Sequence, residues 1–226
     1  MFRFLSRFAA YLLVAAQFSI ASAGSYEDFF AAIQRDDARV VQDLLRRGFD
    51  PNTPAPDGQP GLMVAVRAPA PKVAQVLIAW PETRVDPRNA KDETPLMLAA
   101  LKGQGEIVRQ LIARDADVNK PGWAPLHYAA THGHLAIMEL LLEHHAFIDA
   151  QSPNGTTPLM MAAHYGTPAA VKLLLEAGAD IDMRNQLGLS ALDFANRGNR
   201  KDAAELISAE VNRRRQAAGR LPGGRW

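Results

Sequence analysis

A short motif recurs through this chain at an almost constant interval, and nothing else in the sequence limits its fold as strongly. Thr94-Pro95-Leu96-Met97-Leu98-Ala99-Ala100 and Thr157-Pro158-Leu159-Met160-Met161-Ala162-Ala163 are near copies. Ala124-Pro125-Leu126-His127-Tyr128-Ala129-Ala130 is a third copy, and Ser190-Ala191-Leu192-Asp193-Phe194-Ala195 a weaker fourth. Two degenerate copies precede them, centred on Phe29 and Leu62. The anchors Phe29, Leu62, Leu96, Leu126, Leu159 and Leu192 are spaced by 33, 34, 30, 33 and 33 residues. A fixed period of this length signals units stacked in one dimension, none of which buries its apolar face alone.

The residues within one period spell two helices and a turn. Thr is a favoured N-cap and Pro a favoured first helical residue, so Thr-Pro opens the inner helix. The Ala-Ala pair keeps that helix thin enough to sit close to its neighbours. Gly166-Thr167-Pro168 breaks the chain and starts the second helix, which ends in Leu173-Leu174-Leu175. Gly178 suits a left-handed helix end, and Ala179-Asp180-Ile181-Asp182 leads out into a turn.

Motif and period together resemble the ankyrin-repeat family over residues 26–210. The resemblance implies an all-α solenoid of about six helix-turn-helix units with short β-turn fingers. It also implies a non-catalytic module, needing no cofactor, that holds a protein partner on a concave face of finger tips and inner-helix edges.

Two departures from the pattern stand out. The finger from Asp50 to Gly61 carries Pro51, Pro54, Pro56 and Pro60, which predicts an extended, stiff segment; Pro81 stands where a helix-ending glycine belongs. The interval of 30 before Leu126 leaves Asn119-Lys120-Pro121-Gly122-Trp123 as a blunted finger with a tryptophan at its base. The end units carry more polar helices, as solubility requires of caps. Residues 211–226, with Arg213-Arg214-Arg215, read as a flexible basic tail.

The first 23 residues have the three parts of an export leader. Arg3 and Arg7 precede an apolar run from Phe8 to Ile20, and Ala21-Ser22-Ala23 forms an A-x-A cleavage pattern. The run is too short to span a bilayer, which takes roughly 20 residues. The leader predicts a bacterial periplasmic or secreted protein, cleaved after Ala23, without stable membrane insertion. The formal net charge is +1; loss of Arg3 and Arg7 leaves 23 basic against 24 acidic residues, a net of −1. That balance gives no reason to expect nucleic acid as partner. There is no cysteine, hence no disulfide, thiolate nucleophile or zinc–cysteine site.

The search for chemistry finds little. Gly103-Gln104-Gly105 lacks the rest of a phosphate loop. Gly188-Leu189-Ser190 starts like a nucleophile elbow, but the second glycine is absent and Ser190 is the capping position of the last unit. Asn154-Gly155-Thr156 fits a glycosylation sequon and equally a finger-tip turn, the reading preferred here. Of six histidines, His127 and His134 occupy framework positions of the family; the usual partner of the first, the motif threonine, is Ala124 here, which predicts a weakened network. His144 and His145 close a helix, leaving His132 and His164 as exposed metal-ligand candidates with no zinc-type spacing.

Carrying the family's contact positions onto this sequence gives Arg67, Leu101, Lys102, Trp123, His132, His164, Tyr165, Leu187, Leu189 and Arg197. Trp123, His132, His164 and Tyr165 form the predicted centre, since amphipathic aromatics are what protein interfaces select. The isolated chain is read as a monomer. Alternative readings are a stabilising or inhibitory subunit of a periplasmic enzyme, metal or small-ligand capture by the histidines, and a secreted host-directed effector.

Overall fold

The computed structural model describes residues 24–219; the leader lies outside them. The chain divides into two compact units, meeting in sequence at Asn89 and Ala90.

Among the described residues the first unit holds four helices: α1 (24–35), α2 (Ala38–Arg46), α3 (Gly61–Arg67) and α4 (Pro71–Ala79). Asp37 caps α2, its carboxylate accepting from the Arg39 and Val40 amides. Phe29 is fully buried, and its ring packs on Phe30 and Phe49. Leu62, Met63 and Leu77 complete this core. Burying such a side chain contributes about 1.5–3 kcal/mol.

The second unit holds four helix pairs: α5 (Pro95–Leu101) with α6 (Gly105–Ala113), α7 (Pro125–His132) with α8 (Leu135–Glu143), α9 (Pro158–Tyr165) with α10 (Pro168–Glu176), and α11 (Ala191–Arg197) with α12 (Lys201–Gly219). The inner helices stack in order, α5 on α7, α7 on α9 and α9 on α11. The outer helices α6, α8, α10 and α12 form a second layer. Ala99, Ala100, Ala129, Ala130, Ala162, Ala163 and Ala195 are all buried between inner helices, as the motif predicts. Gly166 shows how close the approach is. A Cβ there would lie 2.9 Å from the Ala162 Cα and nearer still to the Ala130 carbonyl.

The helix starts follow the sequence reading. The Thr94, Thr157 and Thr167 hydroxyls accept from the amides of Met97, Met160 and Ala170 at 3.3, 3.3 and 3.2 Å. Ser190 and Asp193 bond reciprocally at the head of α11. Each such cap is worth about 1 kcal/mol.

Two expectations are corrected. The proline-rich finger is not an extended rod. The Ala55 amide donates to Gln59 and the Gly58 amide to Ala55, each at 2.8 Å, and Pro54 pairs with Pro60. The fingers at 152–156 and 185–189 close by the same two bonds, Ser152 to Thr156 and Gly155 to Ser152, Asn185 to Leu189 and Gly188 to Asn185. The prolines stand where no N–H is needed, so the hairpin tolerates them. The segment after Glu210 is not a tail from its start, because α12 continues to Gly219. The Glu210 carboxylate accepts from Arg213 and Arg214 at 2.7 Å, and Arg214 also reaches the Ala179 carbonyl. Those bonds hold the Glu210 carboxyl down at about 2.

Candidate functional site

Arg67 belongs to the first unit. It is exposed at the end of α3, and its guanidinium donates to the Gln59 side chain at 2.8 Å.

The other predicted residues lie in the second unit. Leu101, half-buried, ends α5 and is followed by exposed Lys102. His132, exposed, ends α7. His164 and Tyr165 end α9, and Arg197, exposed, ends α11. Because the inner helices stack in register, these ends fall along one edge. Leu187 stands at a finger tip and is 75% exposed; Leu189, behind it, is half-buried. Gln186 ties that finger to the preceding one, its amide donating to Asn154 and its side chain to Pro153.

The predicted aromatic centre does not form one cluster. Ring contacts divide its four residues into three separate groups. Trp123 sits edge-on to His127 and Tyr128. His132 stacks on His134 with centroids 5.8 Å apart. His164 meets Tyr165 and Phe194 edge-on. Trp123 is half-buried, so part of its surface already packs within the unit. His164 is half-buried as well, and its Nδ1 lies 2.9 Å from the Phe194 carbonyl, which corrects its reading as an exposed ligand. Tyr165 is 56% exposed and remains the large aromatic most open to a partner along the inner-helix ends.

The His127 network is intact despite Ala124. The Ala124 amide donates to Nδ1 at 3.1 Å, which assigns the proton to Nε2, and Nε2 donates to the Thr156 carbonyl at 2.9 Å. The missing threonine hydroxyl is bypassed because the histidine uses the backbone on both sides. Burial holds this imidazole below its ordinary pKa, against the raising effect of its backbone bonds.

Sequence reasoning missed the group around the blunted finger. Lys120 is 3% exposed and pairs with Asp92 of the preceding finger, donating also to the Pro121 carbonyl. Tyr128 donates to Glu93 at 3.3 Å, and burial, reinforced by the Glu93 charge, raises its phenol well above the usual range. The interval of 30 residues was the one signal that this finger is built differently.

Among the described residues no three His, Asp or Glu side chains are gathered to hold a metal ion. None of the described helices is long and apolar enough to cross a membrane.

Comparison with known proteins agrees with this architecture. The family model described as ankyrin repeats in three copies matches residues 29–121, 62–152 and 144–215. The chain is 36% identical over 131 residues to a Danio rerio protein named as a palmitoyltransferase, ZDHHC13, covering 56% of this chain and 20% of that protein. It is 43% identical over 74 residues to Neurogenic locus notch homolog protein 4 of Homo sapiens, 33% of this chain and 4% of that protein. It is 37% identical over 102 residues to the Ankyrin repeat and KH domain-containing protein mask of Drosophila melanogaster, 43% of this chain and 2% of that protein. The chain thus spans a fifth or less of the length of these relatives. Ankyrin repeats are in general protein-interaction modules and typically non-catalytic. With two matched helices per period and family matches from residue 29 to 215, this chain belongs to the ankyrin-repeat family.

Proposed function

We propose that this chain is an exported, non-catalytic module that captures a protein partner along the edge formed by its finger tips and inner-helix ends. The observation that carries the reading is the exposure of Tyr165 and Leu187. Among the described residues the large hydrophobics open to solvent are these two, Phe147 and, marginally, Val40. Tyr165 closes an inner helix and Leu187 tips a finger, the two places from which a repeat protein of this family reaches a partner. Interface energy concentrates in a few such anchors.

The test compares captured proteins from the envelope fraction of the native cell. Tyr165→Ala with Leu187→Ala removes the two anchors without touching the core. Loss of a partner that the parent chain retains supports the reading; an unchanged set of partners overturns it. Trp123→Ala is made separately, because that ring also supports His127 and Tyr128. Export is checked by fractionation and by sequencing the mature N-terminus. A chain starting at Gly24 outside the cytoplasm supports it, and a full-length cytoplasmic chain overturns it.

A further inference from the structure

The chain is almost neutral overall, yet its charges are not mixed evenly. In the second unit each inner helix carries a basic or imidazole side chain at or beside its last residue: Lys102 after α5, His132 on α7, His164 just before the end of α9 and Arg197 on α11. His134 and Arg200 follow just behind. Arg35 and Arg67 stand likewise in the first unit, so all six repeats carry a basic type at one or the other of two adjacent register positions, five or six residues after the anchor. With 25 Lys and Arg and 6 His among 226 residues, such types make up about one residue in seven, so composition does not account for the pattern.

Helix dipoles favour cations at C-termini, and that effect would act equally on the outer helices. Those ends are mixed in charge: Arg114 and then Asp115 follow α6, Glu143 and His144 close α8, and Glu176 closes α10. Around the inner-helix ends, residues 101–105, 131–136, 164–171 and 196–201 contain no Asp or Glu. The nearest acid beyond α5, Glu106, is engaged by Arg109 and Gln110. His132 stacks on His134, whose Nε2 bonds the Leu101 carbonyl, and His164 uses only Nδ1 on Phe194. Lys102, His132 and Arg197 are exposed at the edge.

We propose that this edge recognises an acidic, extended segment of a partner protein, its carboxylates meeting Lys102, His132, His164 and Arg197 in turn. The proposal rests on the protein-capture reading and specifies the partner's chemistry. Inner helices pack about 8–10 Å apart, so four of them span roughly 30 Å. An extended chain at about 3.3 Å per residue crosses that distance in nine or ten residues.

The probe is a fluorescently labelled ten-residue oligo-glutamate, titrated with the full chain and read by anisotropy. Saturable binding that weakens as salt rises is expected, and Lys102→Glu with Arg197→Glu should weaken it about tenfold or more. Lys172→Glu with Arg109→Glu, an equal charge reversal on outer helices, should leave it nearly unchanged. No binding overturns the proposal, as does equal loss in both variants. A ten-residue oligo-thymidylate that binds as tightly with the same dependence also overturns it, because the edge would then be a general polyanion site. If the Tyr165 and Leu187 variant loses the native partner while the Lys102 and Arg197 variant keeps it, capture stands and the acidic-segment assignment falls.

Discussion

His127 Nε2 lies 2.9 Å from the carbonyl oxygen of Thr156, a residue 29 positions further along the chain. One neutral imidazole therefore ties the foot of one finger to the next. Removing it leaves the Ala124 amide buried without this partner, at about 1–3 kcal/mol for an unsatisfied group, while the Thr156 carbonyl keeps only the Ser152 amide. His127→Ala is predicted to cost about 3–5 kcal/mol in urea unfolding, cavity included. A loss below 1 kcal/mol would show that the bridge does not hold the fingers.

The same imidazole gives a pH dependence. Its folded pKa lies below the ordinary value of 6.5, so the unfolded chain takes up the proton first. Its contribution is fully present above about pH 6.5 and falls as pH drops below it. The parent chain should lose more stability between pH 7.5 and pH 5 than His127→Gln does. Equal losses in both would remove His127 as the cause.

Gly166, just after α9, marks a close approach to α7. Its φ is −77°, so backbone conformation is no obstacle to alanine, and only the Ala162 Cα and Ala130 carbonyl are. Gly166→Ala is predicted to destabilise by about 3 kcal/mol through overpacking. Gly105, whose added Cβ would meet nothing nearer than Ile137 at 4.0 Å, serves as the tolerant control.

His145 has φ +63° at the end of α8, where Gly178 stands with φ +96° after α10. A side chain in that conformation costs about 1 kcal/mol. The bond from the Asn119 side chain goes to the His145 backbone carbonyl, so it survives substitution. His145→Gly should raise stability by about 0.5–1 kcal/mol, visible as a higher melting temperature.

Glu210 anchors the end of α12 through Arg213 and Arg214. With its pKa depressed to about 2, its contribution is complete above the ordinary value of 4.5 and is lost as pH falls through about 2. Glu210→Gln should speed amide exchange across residues 211–219 and leave exchange in α9 unchanged. Unaltered exchange in that stretch would mean that the helix holds without the ion pairs.

Much of this protein follows from sequence alone because a stacked repeat is built from contacts close in the chain. Helix positions, caps at Thr94, Thr157 and Ser190, the buried Ala-Ala pairs and the family all follow from a motif and its period. The candidate interaction edge was legible in the same way, since Lys102, His132, Tyr165 and Arg197 fall five or six residues after the motif leucine and lie at the inner-helix ends.

How far those side chains remain available was decided by what packs beside them. His164 has its Nδ1 taken up by the Phe194 carbonyl of the next repeat, and Trp123 meets Tyr128 of its own repeat edge-on. Lys120 is buried because Asp92 of the preceding finger comes within reach of its ammonium. A motif specifies its own helices and turns, because their hydrogen bonds close within a few residues. Burial and ion pairing depend on what the next unit places opposite, and that meeting exists only once the units have stacked.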